Sequence, residues 1–427
     1  MNKRDTATTM DKTNEHRPGY QWTKLGWVPE EWEVVKSSKA IEIVEGQVDP
    51  KQSKYSSLPH IGPANMEKET GILLEYNTAQ EDGIISGKYL FNENHVLYSK
   101  IRPELSKVVF PGFSGLASAD VYPISSKNGL LIPSFLKLLL LSKRFYHYSV
   151  SLSSRTSGMP KVNRADLMAY DFPLPPLPEQ KKIAAILSTW DAAIQALQEL
   201  IAAKEQQQKG LMQRLLTGEV RFGEFVKEDG KKDTALGKIP KDWTLLKADE
   251  IFESVSIKNN KDEPLLAVTQ ENGVIPRDML EGRVMMPSGD TNSYKLAVPG
   301  NFVISLRSFQ GGIEYSEYRG IVSPAYTVIN HKIPIVKSFF RHFFKSAEFI
   351  GRLSIAVIGI RDGKQISFRD FAAMKFRFPS LEEQERITTV LNEGEEEISV
   401  LNQKLDTLKT QKKGLMQRLL TGEVRTI

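Results

Sequence analysis

The segment Gly359-Ile-Arg-Asp-Gly363-Lys364-Gln365 is the nearest approach in this sequence to a phosphate-cradling loop, and it lacks two parts of that chemistry. One residue is missing between its glycines, and Gln365 stands where a Ser or Thr hydroxyl would hold magnesium. The six histidines, at 16, 60, 95, 147, 331 and 342, are scattered without zinc-ligand spacing. Phe110 to Gly115 (FPGFSG) holds two glycines but not the strand-loop-helix setting of a dinucleotide fingerprint, so it reads as a turn. There is no Gly-x-Ser-x-Gly, no paired acidic motif beside a catalytic lysine and no Asn-Pro-Pro-aromatic segment. This inventory points to binding, with no catalysis and no cofactor in the chain itself.

The elements that would position binding residues are announced by a repeat. Lys209 to Arg221 (KGLMQRLLTGEVR) recurs without change from Lys413 to Arg425, 204 positions later. Upstream, Pro175, Leu177, Glu179, Gln180, Ile183 and Leu187 match Pro379, Leu381, Glu383, Gln384, Ile387 and Leu391 at the same offset, and Ser134, Phe135, Ser142 and Phe145 match Ser338, Phe339, Ser346 and Phe349. Further upstream the offset drifts. The chain is a tandem duplication whose C-terminal parts share a scaffold and whose front parts have diverged.

The scaffold reads as helix. Ile183, Leu187, Trp190, Ile194, Leu197, Ile201, Lys204, Gln208, Leu211 and Leu215 step by four and three residues, a heptad seam that the second copy repeats from Ile387 to Leu419. Prolines precede both helices, and Gly218 and Gly422 follow them. A helix from Glu179 to Leu216 is about 57 Å long if unbroken, with Gly210 and Gly414 as candidate interruptions. The regular stepping favours antiparallel pairing of the two helices as a spacer over each lying on its own globular neighbour.

In front of each helix, short β-branched runs such as His95 to Tyr98, Lys107 to Phe110, Asn301 to Ser305 and Tyr326 to Ile329 predict sheet with long loops. One helix is expected after each sheet, Pro133 to Tyr148 and Pro334 to Leu353, with Phe339, Phe340, Phe343 and Phe344 as its core face. Trp32 and Trp243 read as core anchors. The fold class is α+β: a sheet-rich domain followed by a long helix, twice. The expected boundaries are a disordered tail at 1–22, a first domain at 23–174, a helical spacer and linker at 175–235, a second domain at 236–378 and a second helical spacer at 379–427.

Bulk composition agrees with a soluble protein of several domains. The 427 residues are 40% hydrophobic and 26% charged, with a net charge of +5 that permits a polyanionic partner without demanding one. The absence of cysteine points to a reducing compartment, the cytoplasm. The first 20 residues lack the apolar core of a signal peptide, and the longest apolar stretch, Leu130 to Leu141, is interrupted by Pro133 and Lys137.

Four motifs occur in order: Leu25-Gly26-x-x-Pro29-x-x-Trp32, then Tyr98 to Pro103 (YSKIRP), Pro175 to Gln180 (PPLPEQ), and Gly210 to Gly218 (GLMQRLLTG). The second half repeats the pattern with Leu236, Gly237, Pro240 and Trp243, then Gly300 to Ile304, Gly320 to Tyr326 and Glu383-Gln384. Over the chain after about residue 22, this twofold order resembles the DNA-specificity subunit of type I restriction-modification systems. The resemblance implies that each globular half is a target-recognition domain reading one half of a split, asymmetric site in double-stranded DNA. It implies that the helices set the gap and dock two adenine-methyltransferase subunits, and that two restriction/translocase subunits join. S-adenosylmethionine, ATP and magnesium then belong to those partners. In the second copy Leu306-Arg307-Ser308 replaces Lys-Ile-Arg-Pro, so contacts there need not be equivalent. The rival reading is a protein-binding scaffold with two recognition heads.

DNA contact needs cations and amides on loops that reach a groove. In the segments that the resemblance places near DNA, the candidates are Lys100, Arg102, Arg155, Ser157 and Lys161 in the first half, and Arg307, Gln310, Arg361, Lys364 and Gln365 in the second. Gln270, beside Thr269 and Asn272, sits in an amide-rich loop suited to adenine edges, with His60 and Asn65 in the counterpart loop. Lys209, Arg214 and Arg221, with their copies Lys413, Arg418 and Arg425, are candidate contacts for the methyltransferase subunits.

Overall fold

The computed structural model describes residues 17–153, 159–280, 291–306, 308–358 and 366–426. They fall into two compact units, Met1–Leu197 with Lys404–Ile427, and Gln198–Gln403. Both boundaries run through the two long helices, so each unit comprises a sheet-rich body and half of each helix.

Each body is built on a four-stranded antiparallel sheet of the same order. In the first unit Ile41–Ile43, Val121–Ser126, Val96–Ser99 and Val108–Val109 lie side by side. In the second the order is Phe252–Val255, Thr327–His331, Phe302–Ile304 and Glu314–Tyr315. The four runs read as strands from their alternation all fall in these two sheets. Around them the units differ. The first adds a three-stranded sheet in which His60–Ile61 runs parallel to Gly115–Ala117 and Tyr89–Phe91 antiparallel to it. The second adds a hairpin, Leu266–Thr269 with Gly273–Pro276, and the pair Lys295–Ala297 with Gly320–Val322.

The helix expected behind each sheet is two helices. Pro133–Leu141 is followed by Lys143–Ser153, and Lys337–Lys345 by Ala347–Ile358. The break falls at Ser142 and Ser346, which sit in extended conformation with ψ of 146° and 143°. Each serine caps the helix that follows it. The Ser142 hydroxyl accepts the Phe145 N–H at 3.2 Å, and the Ser346 hydroxyl accepts that of Phe349 at 3.3 Å. A cap of this kind contributes about 1 kcal/mol, enough to fix the corner where apolar periodicity alone would carry the helix through.

The core of the second unit is aromatic. Phe339, Phe340 and Phe344 are fully buried with Phe252, Phe302, Phe371 and Phe376, and their rings meet edge-on or tilted. Trp32 and Trp243 are each 1% exposed, as expected of core anchors.

The long helices run Leu177–Leu216 and Leu381–Leu420, about 60 Å each, and neither Gly210 nor Gly414 interrupts them. They pair antiparallel. In the second unit Lys204 bonds Glu397 at 2.7 Å, and the Gln208 amide donates to the Leu391 carbonyl at 2.7 Å. Gly394 makes room for that amide, because a Cβ there would stand 2.2 Å from Gln208 Oε1. In the first unit Lys412 pairs with Asp191, and Leu419 and Leu420 enter the core that holds Ile183 and Leu187. Such polar pairs within an apolar seam fix its register.

Candidate nucleic-acid interface

In the first unit the structure gathers three of the expected cations. Residues Ile101 and Lys161 form an antiparallel bridge, flanked by bonds from Arg102 N to Pro160 O at 2.9 Å and from Val162 N to Lys100 O at 2.8 Å. Lys100, Arg102 and Lys161 are therefore backbone neighbours although Lys161 lies far along the chain. Arg102 is held in the left-handed region at φ 50°, between Ile101 and the buried ring of Pro103, and its side chain is exposed, as is that of Lys161. Lys100 is half-buried, with its ammonium 5.5 Å above the Tyr122 ring. Arg155 and Ser157 lie outside the described residues.

His60 and Asn65 are committed to their own loops. The Asn65 side-chain carbonyl accepts the Gly62 N–H at 2.9 Å and its amide donates to Glu75 O at 2.7 Å, so the side chain reaches back to close its own turn. His60 is buried in its strand, with Nδ1 2.8 Å from Asp82 Oδ2. That contact, with a bond from Asn77, holds the Asp82 carboxyl below the usual carboxylate range.

In the second unit Gln270 occupies a three-residue turn between Thr269 and Gly273. The Thr269 hydroxyl accepts the Asn272 N–H and donates to Gly273 O, both at 3.0 Å, and Gly273 supplies the positive φ of 68° that closes such a hairpin. The aliphatic part of Gln270 lies on Gly311, where a Cβ would stand 2.6 Å from Gln270 Cγ. Gln310, the preceding residue on the helical turn Ser308–Gly311, is exposed, as is Gln270. Gln270 thus lies against the helical turn that carries Gln310. Arg307, Arg361, Lys364 and Gln365 lie outside the described residues.

The six basic residues of the repeat divide into two groups. Lys209, Arg214, Lys413 and Arg418 are exposed; Arg214 and Arg418 lie beside Glu219 and Glu423, and Lys413 beside Glu69. Arg221 and Arg425 face inward, a correction to their grouping with the docking cations. Arg221 grips both carboxylate oxygens of Glu383 at 2.8 Å, bonds Asp242 at 2.7 and 3.1 Å, and lies over the Trp243 ring. Arg425 grips Glu179 at 2.8 and 3.1 Å, reaches Glu31, and lies over Trp32. Each glutamate also accepts the tryptophan indole N–H, Trp32 to Glu179 and Trp243 to Glu383, at 2.8 Å. Burial works to raise the Glu179 carboxyl, but the Arg425 and Trp32 donors outweigh it and hold it below its ordinary value. The carboxylate partners of Arg221 and Arg425 push both guanidinium groups upward. The neighbouring glutamines are also structural: Gln180 ties Ile132 N and Leu130 O to the helix start, and Gln384 ties Val336 N and Pro379 O.

Sequence reasoning missed Lys345 and Glu314. The Lys345 ammonium donates to Gln270 O at 3.0 Å, Gly311 O at 2.9 Å and Glu314 Oε1 at 2.5 Å. Glu314 is 2% exposed, and its burial raises the carboxyl to about 7 even beside Lys345. No local signal marks a pair separated by 31 residues.

Among the described residues no helix is long and apolar enough to cross a membrane. A family model for the type I restriction modification DNA specificity domain matches residues 29–205. The type I restriction enzyme EcoDI specificity subunit of Escherichia coli is 36% identical over 160 residues, which cover 38% of this chain and 35% of that protein. The MjaVIII specificity subunit of Methanocaldococcus jannaschii is 27% identical over 418 residues, covering 93% of this chain and 94% of its own. The fold is shared with the crystal structure of an HsdS subunit from Thermoanaerobacter tengcongensis, at TM-score 0.52 and 16% identity over 93% of this chain and 98% of that one. A chain from a structural study of type I R-M complex assembly and conformational transition matches at TM-score 0.58, also 16% identical, over 93% and 99%. A type I restriction modification DNA specificity domain at residues 29–205, within a duplicated α+β fold, makes the chain similar along its length to type I restriction enzyme specificity subunits.

Proposed function

We propose that the chain is the non-catalytic recognition subunit of a type I restriction-modification complex and that its two units read the two unlike halves of a bipartite site in double-stranded DNA. The observation that carries this reading is a shared sheet with different contact loops: the same four-stranded order presents Lys100, Arg102 and Lys161 in one unit and Gln270 with Gln310 in the other. Exposed cations suit phosphates, and exposed amides suit adenine edges. Arg155, Ser157, Arg307, Arg361, Lys364 and Gln365 belong to the same proposal on sequence grounds. His60 and Asn65 contribute by shaping the loops of the first unit.

The paired helices set the number of base pairs between the half-sites. They dock two adenine-methyltransferase subunits, with Lys209, Arg214, Lys413 and Arg418 as the exposed contacts, and two restriction/translocase subunits complete the complex in the cytoplasm. S-adenosylmethionine, ATP and magnesium act in those partners. The test is a map of methylated adenines in cells carrying this chain with its methyltransferase partner. A single interrupted motif with two unlike halves is expected, and a continuous palindrome would overturn the reading.

A further inference from the structure

We infer that Lys345, clasped to Glu314, is a positioning residue that sets where Gln270 meets the base edge of its half-site. The inference rests on the DNA-recognition reading above and goes beyond it, because Lys345 itself faces the protein.

The geometry is that of a three-way clasp. Lys345 ends the helix Lys337–Lys345, and its ammonium holds the backbone carbonyl of Gln270 on the hairpin, that of Gly311 on the adjacent helical turn, and the Glu314 carboxylate on an edge strand of the sheet. Two stretches distant in sequence, the Gln270 turn and Gly311 to Glu314, are thereby fixed to one nitrogen at the end of a third. The close approach is built into the glycines. A Cβ at Gly312 would stand 2.0 Å from the Phe344 carbonyl oxygen, and one at Gly311 would overlap the Gln270 side chain. Glu314 lies opposite Val303 in the sheet and is 2% exposed, so the clasp is anchored in the core. A glutamine reads adenine through two hydrogen bonds of fixed spacing, and displacement of its turn by an ångström forfeits both.

The first unit has no such clasp at the equivalent positions. Leu141 ends the helix that corresponds to Lys337–Lys345, and Val109, opposite Leu97, occupies the strand position of Glu314. A buried ion pair where the duplicate has two apolar residues is not needed to fold the sheet, since replacing such a pair with apolar groups is often neutral or stabilising. Its distinctive product is the fixed Gln270 turn.

The experiment maps adenine methylation across genomic DNA in cells producing the full chain, or a variant, with its methyltransferase partner. The wild-type chain gives one bipartite motif; failure to do so refutes the recognition reading itself. Lys345→Met is expected to relax one or two adjacent positions in one half, lowering discrimination there by about tenfold to a hundredfold, with the other half unchanged. Lys345→Arg restores the motif. The double variant Lys345→Leu with Glu314→Val copies the first unit and leaves no buried charge unpaired, so it separates positioning from folding. The same one-sided relaxation in that variant supports the inference. An unchanged motif, equal blurring of both halves, or complete loss of methylation in the double variant overturns it.

Discussion

Arg425 and Glu179, 246 residues apart, form a two-pronged ion pair beneath the Trp32 indole, and the duplicate repeats it with Arg221 and Glu383 beneath Trp243. The Pro-x-x-Trp motif, the Glu-Gln helix start and the final arginine of the thirteen-residue repeat are therefore parts of one joint. Removing the arginine leaves a carboxylate unpaired at a site that is 8% or less exposed. Arg425→Ala is expected to destabilise the first unit, and Arg221→Ala the second, each by about 3 kcal/mol or more. Lysine at either position recovers only part of this, since it keeps the charge and loses the fork. Denaturant unfolding with hydrogen exchange resolved by unit checks both size and location; exchange that rises equally in both units would contradict the assignment.

Glu314 gives the second unit a pH dependence. Its carboxyl titrates near 7 in the folded chain and near 4.5 when unfolded, so the folded state binds the proton more tightly. That contribution is complete below about pH 4.5 and is lost as pH rises through 7, amounting to on the order of 3 kcal/mol. Denaturation midpoints measured from pH 5 to 8 should fall with pH in the wild type more steeply than in Glu314→Gln. Parallel curves would exclude Glu314 as the source.

Arg102 and Lys161 are expected to act through phosphates. Arg102→Ala and Lys161→Ala should each weaken duplex binding by the assembled complex and flatten the slope of log affinity against log salt by about one unit. Neither change should shift the thermal midpoint by more than a degree or two, because both side chains are exposed. A salt slope identical to wild type in the double variant would remove these residues from the interface.

Three glycines separate helix propensity from packing. Gly210 and Gly414 lie within continuous helix with nothing within 4 Å of an added Cβ, so alanine at either should stabilise by about 1 kcal/mol. Alanine at Gly312 should destabilise instead, because φ is +86° and the new Cβ would meet the Phe344 carbonyl. Urea midpoints of the three variants give the comparison, and a destabilised Gly414→Ala would show that this exposed helix position carries an unseen constraint.

The long helices, the central strands and the phenylalanine face were legible because each follows from a period that the core enforces. The corners at Ser142 and Ser346 were not, since one hydroxyl outweighs an apolar pattern that would otherwise continue. Repetition of all thirteen residues signalled a shared task, but not that Arg221 and Arg425 face inward while Arg214 and Arg418 face out. Their partners lie 162 and 246 residues away, and no local pattern encodes such distances. The meeting of Lys100, Arg102 and Lys161 likewise depends on a bridge between separate loops.

The discontinuity of the first unit has a consequence for biosynthesis. Residues 404–427, which carry Leu419, Leu420 and Arg425 into that unit, leave the ribosome after the whole of Gln198–Gln403. The domain whose synthesis starts first is thus the one completed last, and a chain that stops at residue 403 holds every residue of the second unit while lacking the final segment of the first.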